Sequence, residues 1–125
     1  MKTGIIIALI LMSGPMVYAT QETSESGKIA ALIEGIRGMK GARFIRNGSE
    51  YPPGEAADHL AMKRRKAGDR VRTARQFIEL VASRSYLSGE EYLIRLPDGK
   101  VVSSRAVLEK MLREIESGKA GSPRG

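Results

Sequence analysis

His59 is the only histidine in this sequence, and so the only side chain whose ordinary pKa lies near neutrality. It sits in a stretch of helical character, with Asp58 beside it and Glu55 one turn earlier. Positions i and i+4 share a helix face, so Glu55 and His59 can form a charge-assisted pair, whereas Asp58 points elsewhere. Tyr51, Ser85 and Ser88 would complete a polar cleft with His59 if the segments that carry them fold over this helix. In a catalytic reading His59 is the general base for Ser85 or Ser88, in a small metal-independent hydrolase or transferase. In the other reading it is a boundary histidine that caps the core with a hydrogen bond. The chain has no G-x-S-x-G pattern of the kind that presents a nucleophilic serine on a sharp turn. With one His and no Cys it also lacks the ligands of a zinc or copper site, and no cofactor is expected.

A second constellation is a matter of charge. Lys63 to Arg75 (KRRKAGDRVRTAR) holds seven cations and a single acid, Asp69. Lys63, Arg64, Arg65, Arg70 and Arg72, placed around the junction of two helices, would make an anion-binding surface whose contacts weaken as salt rises. The same run also reads as a solvated helix face with intrahelical pairing. Tyr86 and Tyr92 are the aromatics that suit the edge of a binding groove, and Tyr92 suits the core equally well. The whole chain carries 21 Lys and Arg against 14 Asp and Glu, a net charge of +7 that favours anionic partners.

The first nineteen residues bear on which anions those would be. Lys2 is followed by the apolar run Gly4 to Met12, a Gly14-Pro15 break and the small-x-small site Val17-Tyr18-Ala19, the pattern of a secretory signal cut after Ala19. The run is shorter than the roughly 20 residues a spanning helix needs, so no stable membrane span is expected after cleavage. An exported, periplasmic or secreted protein meets acidic glycans, lipid head groups and acidic proteins; nucleic acid is an unlikely partner. The absence of Cys, in a compartment that permits disulfides, leaves stability to an apolar core.

The elements that must position these residues follow from periodicity. Residues 20–25 are polar and expected to be a flexible N-terminus. Ile29, Leu32, Ile33 and Ile36 form one helical stripe, predicting a helix over roughly 26–37 capped by Ser24 or Ser26. Phe44 and Ile45 favour a strand, and Asn47-Gly48 signals a hairpin turn. Pro52-Pro53 ends the return strand and opens a helix from about Gly54 to Ala67, burying Ala57, Leu60, Ala61 and Met62. Thr73 with Gln76 fits a capping box for a third helix whose inner face is Ala74, Phe77, Ile78 and Val81, although Asp69 could cap a helix starting about a turn earlier. Tyr92 to Leu96, the Pro97-Asp98-Gly99 turn and Lys100 to Ser103 predict a second hairpin. Ser104 then caps a last helix carrying Val107, Leu108, Met111, Leu112 and Ile115, and 118–125 is expected to be a disordered tail.

Four motifs in series carry a resemblance. FIRNGSEY (Phe44 to Tyr51), Ala56-Ala57-x-His59-Leu60-x-x-Lys63, Thr73-Ala74-x-x-Phe77-Ile78 and Ser83-x-Ser85-x-x-Ser88-Gly89-x-x-Tyr92 together resemble the bacterial domain of unknown function 5329 family of small exported proteins. The resemblance covers roughly residues 27–115 and implies export and one folded unit, with no activity. Family members commonly carry Cys two residues before the hairpin Phe and four after the strand Tyr, where this chain has Ala42 and Leu96. The resemblance thus implies that these two positions face each other and that both hairpins share one sheet.

The fold expected is α+β, a single domain over 26–117 with three or four helices packed on a small antiparallel sheet of two hairpins. A mostly α bundle is the alternative. The function expected is that of a non-enzymatic envelope module that binds an anionic glycan, lipid head group or acidic protein through its basic surface.

Overall fold

The computed structural model describes residues 24–118. The expected signal segment, 1–19, and nearly all of the expected tail lie outside the described residues. Four helices and one four-stranded antiparallel sheet alternate along the chain, as the α+β expectation requires. Helix α1 spans Glu25–Arg37, strands β1 and β2 are Arg43–Arg46 and Ser49–Tyr51, and α2 is Pro53–Ala67. A 3-10 turn at Gly68–Arg70 leads to α3, Ala74–Leu80; β3 (Leu93–Arg95), β4 (Val101–Ser103) and α4 (Ser104–Glu116) complete the chain.

The ends of α1 show why the helix starts where it does. Ser24 Oγ accepts from the Gly27 backbone N–H at 3.0 Å, satisfying one of the donors that a helix start leaves free. Glu25, expected to be part of a flexible terminus, is instead the first helical residue. Its carboxylate accepts from the Ala74 N–H at 2.8 Å and from Lys28 at 2.9 Å. One acid therefore begins α1 and also caps the start of α3, and these contacts, the Ala74 N–H foremost, hold its pKa below the usual value. The Thr73–Gln76 capping box fixes α3 at Ala74, so Asp69 lies in the 3-10 turn and does not cap a helix. The cap of α4 is Ser103, whose side chain accepts from the Ala106 N–H, while Ser104 is buried as the first helical residue.

The sheet runs β2-β1-β3-β4, so the two hairpins join along β1 and β3. Asn47 and Gly48 both adopt positive φ, 51° and 82°, as a tight two-residue hairpin turn demands. Register places Tyr51, Phe44, Ile94 and Val102 in one row across the sheet, and this row turns toward the helices. Continued one residue beyond the strands, the β1–β3 register sets Ala42 opposite Leu96; Ala42 is buried and Leu96 packs against the core. Arg43 and Arg95, directly opposed, are both answered by Glu50 on β2, at 3.9 and 2.6 Å.

Helix α1 packs against α2, α3 and α4, and its stripe of Ile29, Leu32, Ile33 and Ile36 lies at the centre of the core with Phe77, Ile78, Leu108 and Leu112. The stripe on α2 is narrower than expected. Ala57 and Leu60 are buried and Ala61 packs at the edge, but Met62 lines a surface groove instead. Among the described residues, no helix is long and apolar enough to cross a membrane.

Candidate functional site

The polar face of α2 is built by helical spacing. His59, Lys63, Lys66 and Arg70 recur at four, three and four residues, so they form one stripe continuing through the 3-10 turn. Arg64 and Arg65 fall on the other flank of the helix, where with Ile33, Ala61 and Val71 they line a separate hollow of about 370 Å³. Arg64 also donates to Ser26 Oγ at 2.9 Å. The period of the helix thus divides the cations from Lys63 to Arg70 into two patches.

The His59 stripe lies between two further hollows. A cleft of about 260 Å³ opens between β1, β2 and the first turns of α2, with Phe44, Tyr51, Ala56 and His59 in its walls. A groove of about 420 Å³ runs between the second half of α2 and the segment from Leu80 to Tyr92. Arg46, His59 and Tyr92 line both and form the partition. The groove has four cations in its lining, Arg46, Lys63, Lys66 and Arg70, and no carboxylate.

Hydrogen bonds fix the partition. Lys63 Nζ donates to the Val81 carbonyl and to the Tyr92 hydroxyl, both at 2.8 Å, and so pins the segment after α3 onto α2. Arg46 donates to the Tyr51 hydroxyl at 3.2 Å, with its guanidinium 4.9 Å from the Tyr51 ring centre. His59 Nε2 is buried and has no hydrogen-bond partner. Burial, and then the positive charges of Arg46 and Lys63, push the His59 pKa below its ordinary value, favouring the neutral imidazole. The Lys63 pKa is lowered by burial and by Arg46, and burial raises that of Tyr92.

The sequence candidates separate accordingly. Tyr51 and His59 share the cleft; His59, Lys63, Arg70, Ser85 and Tyr86 share the groove. Tyr51 and Tyr86 therefore meet His59 from different hollows. Arg72 is exposed and donates to the Asp69 carbonyl at 3.3 Å. Ser85 and Ser88 tie their loop to the first hairpin: Ser88 Oγ donates to Asn47 Oδ1 at 2.6 Å, and Ser85 Oγ accepts from Asn47 Nδ2 and from the Ser88 N–H. Asp58 faces Arg37, 3.0 Å away, as its helical position anticipates. Arg46 and Lys66 are site residues that the sequence reading did not single out. The spacing of 59, 63, 66 and 70 carried the signal for Lys66, while Arg46 becomes a neighbour of α2 only through the sheet. Among the described residues no group of three His, Asp or Glu comes together to hold a metal ion.

Residues 23–116 match the family of unknown function DUF5329. The chain belongs to this family. Within the curated proteins it is similar to the uncharacterized protein YfeK of Salmonella typhimurium strain LT2, with 32% identity over 92 residues, covering 74% of this chain and 77% of that protein. No solved structure matches the chain. The family region takes in α1 through α4, and with them the cleft, the groove and their partition.

Proposed function

We propose that this member of the family is an exported, non-enzymatic binding module of the cell envelope that holds an anionic partner in the groove between α2 and the Leu80–Tyr92 segment. One observation carries the reading: Arg46, Lys63, Lys66 and Arg70 converge on a single concave surface with no carboxylate in its lining. None of the ion pairs among the described residues takes a cation from 63–75. Cations in a concave surface reinforce one another's potential and draw in counter-charge. Arg64, Arg65 and Arg72, on other surfaces, drop to a secondary role.

The competing reading, a hydrolase or transferase with His59 as base, draws on the unpartnered Nε2 in the cleft wall. Against it, the hydroxyls of Ser85 and Ser88 are engaged with Asn47 in holding the loop. Retention on immobilised polyglutamate and on dextran sulfate tests the two. Lys66→Gln with Arg70→Gln should elute at distinctly lower salt than wild type. Arg64→Gln with Arg65→Gln should shift less, and Arg105→Gln, whose native residue is already paired with Glu79 and Glu109, least. Equal shifts for all three would reduce the groove to a share of the net charge and reject the proposal. So would a turnover on envelope extracts that His59→Gln abolishes.

A further inference from the structure

The groove has an apolar rim that recognition of a soluble anion does not require. The large hydrophobic side chains left exposed among the described residues are Leu80 at 58%, Tyr86 at 86%, Leu87 at 92% and Val101 at 45%. The first three line the cationic groove; Val101 does not. Exposed apolar side chains scattered singly are ordinary, but three gathered on one surface mark a contact. Leu87 and Tyr86 stand at the tip of a loop that is not slack. Its base is pinned by Lys63 to Val81 and Tyr92 and its flank by Ser85 and Ser88 to Asn47, so the fold holds these side chains outward against their preference for burial.

We propose that the anionic partner of this groove is the surface of a lipid bilayer, with Lys66 and Arg70 on the head groups and Leu80, Tyr86 and Leu87 in the acyl boundary beneath them. The inference rests on the anion-binding reading above and adds the class of partner. Charge and apolarity decide between partners. An acidic glycan answers the cations but leaves Leu87 in water, whereas a negatively charged bilayer offers a plane of anions and an apolar layer within about 5–10 Å of each other. Tyrosine suits that boundary, with an apolar ring and a hydroxyl that stays hydrated. Long basic side chains can lie along it with their stems in the apolar layer and their charges at the head groups.

Sedimentation with vesicles tests the proposal, using phosphatidylcholine alone and phosphatidylcholine mixed with phosphatidylglycerol. The protein should partition onto the mixed vesicles and not onto the neutral ones. Lys66→Gln with Arg70→Gln should lower partitioning about 25-fold, near fivefold for each charge at the surface. Tyr86→Ser with Leu87→Ser should lower it at least about tenfold on the mixed vesicles, since burial of one large apolar side chain is worth that much. These positions are exposed, so circular dichroism should be unchanged. The chain has no tryptophan, which makes Leu87→Trp a single reporter whose emission should shift to the blue on mixed vesicles only.

Vesicle binding that is sensitive to the charges but indifferent to Tyr86 and Leu87, with no blue shift, overturns the inserted tip and leaves the anion groove standing. Retention on polyglutamate that depends on Lys66 and Arg70, without vesicle binding, likewise overturns the lipid and keeps the groove. Loss of neither retention nor vesicle binding in the charge variant rejects both. A dimer in sedimentation equilibrium that Leu87→Ser dissolves would make the rim a contact between two copies and overturn the inference.

Discussion

On α1 both cations are matched, and on α4 the first one is: Lys28 reaches Glu25 and Glu116, Arg37 reaches Glu34 and Asp58, and Arg105 reaches Glu79 and Glu109. Around the groove Arg46, Lys63, Lys66 and Arg70 have no carboxylate among the lining residues, and the repulsion is felt by both His59 and Lys63. The first region covers a largely apolar core with paired charge, an arrangement that serves folding. The second keeps like charges together around a buried imidazole nitrogen with no partner, an arrangement that lowers stability and gains a standing positive potential. The difference is between charge neutralised within the fold and charge that the fold leaves uncompensated.

The largest effect that should sharpen this contrast lies under the matched side. Leu112 is buried on α4, and Leu112→Ala should cost about 2–5 kcal/mol in urea unfolding, as truncations in packed cores do. Retention on polyglutamate should be unaltered for as long as the protein remains folded. If retention falls in step with stability, the two regions are not separable and the contrast fails.

A smaller loss is expected at the partition. Lys63→Met strips the Val81 carbonyl and the Tyr92 hydroxyl of their donor, which should cost about 1–3 kcal/mol and loosen the loop behind them. Adding Tyr92→Phe removes one of the two orphaned groups, so the double variant should lose less than the sum of the single ones. Additive losses would mean that the hydrogen bond to Tyr92 contributes nothing.

The mildest test is pH. His59 is held below its ordinary value, first by burial and then by Arg46 and Lys63, so as pH falls the unfolded chain takes up this proton before the folded one. Its contribution to stability is intact above the unfolded value of about 6.5 and is lost as pH falls from there toward the lower folded value. His59→Gln should flatten that part of the profile. Parallel urea midpoints for wild type and His59→Gln across this range would mean that the imidazole is not desolvated in solution.

Much of this architecture was legible in the residues. The stripes of α1 and α4, the Thr73–Gln76 box and the Asn47-Gly48 turn are local signals, and each element formed where its own residues favoured it. The facing of Ala42 and Leu96 came through resemblance and agrees with the β1–β3 register. Helix boundaries were less legible, because caps are chosen by competition: Ser103 outcompeted Ser104, whose side chain was drawn into the interior. The site was legible only in part. His59 stood out by residue type, but a run of cations written in one line could not show that the helix would divide it, nor that Lys63 would turn inward to Tyr92. Arg46 and Leu87 lacked any local signal, since one reaches α2 through strand pairing and the other is conspicuous only for what the fold leaves uncovered.

The seam between β1 and β3 has a consequence for the order of assembly. Each hairpin is a local ribbon closed by a tight turn, able to form in about 1–10 μs. The seam instead joins residues separated in sequence by all of α2 and α3, so its closure carries the entropy of a long loop and should set the folding rate. Until it closes, Phe44 and Ile94 have unpaired strand edges beside them, and the early chain offers two sticky ribbons where the finished molecule has one sheet. Because the Leu80–Tyr92 wall of the groove leads directly into β3, the groove is completed with that seam and is among the last features to exist.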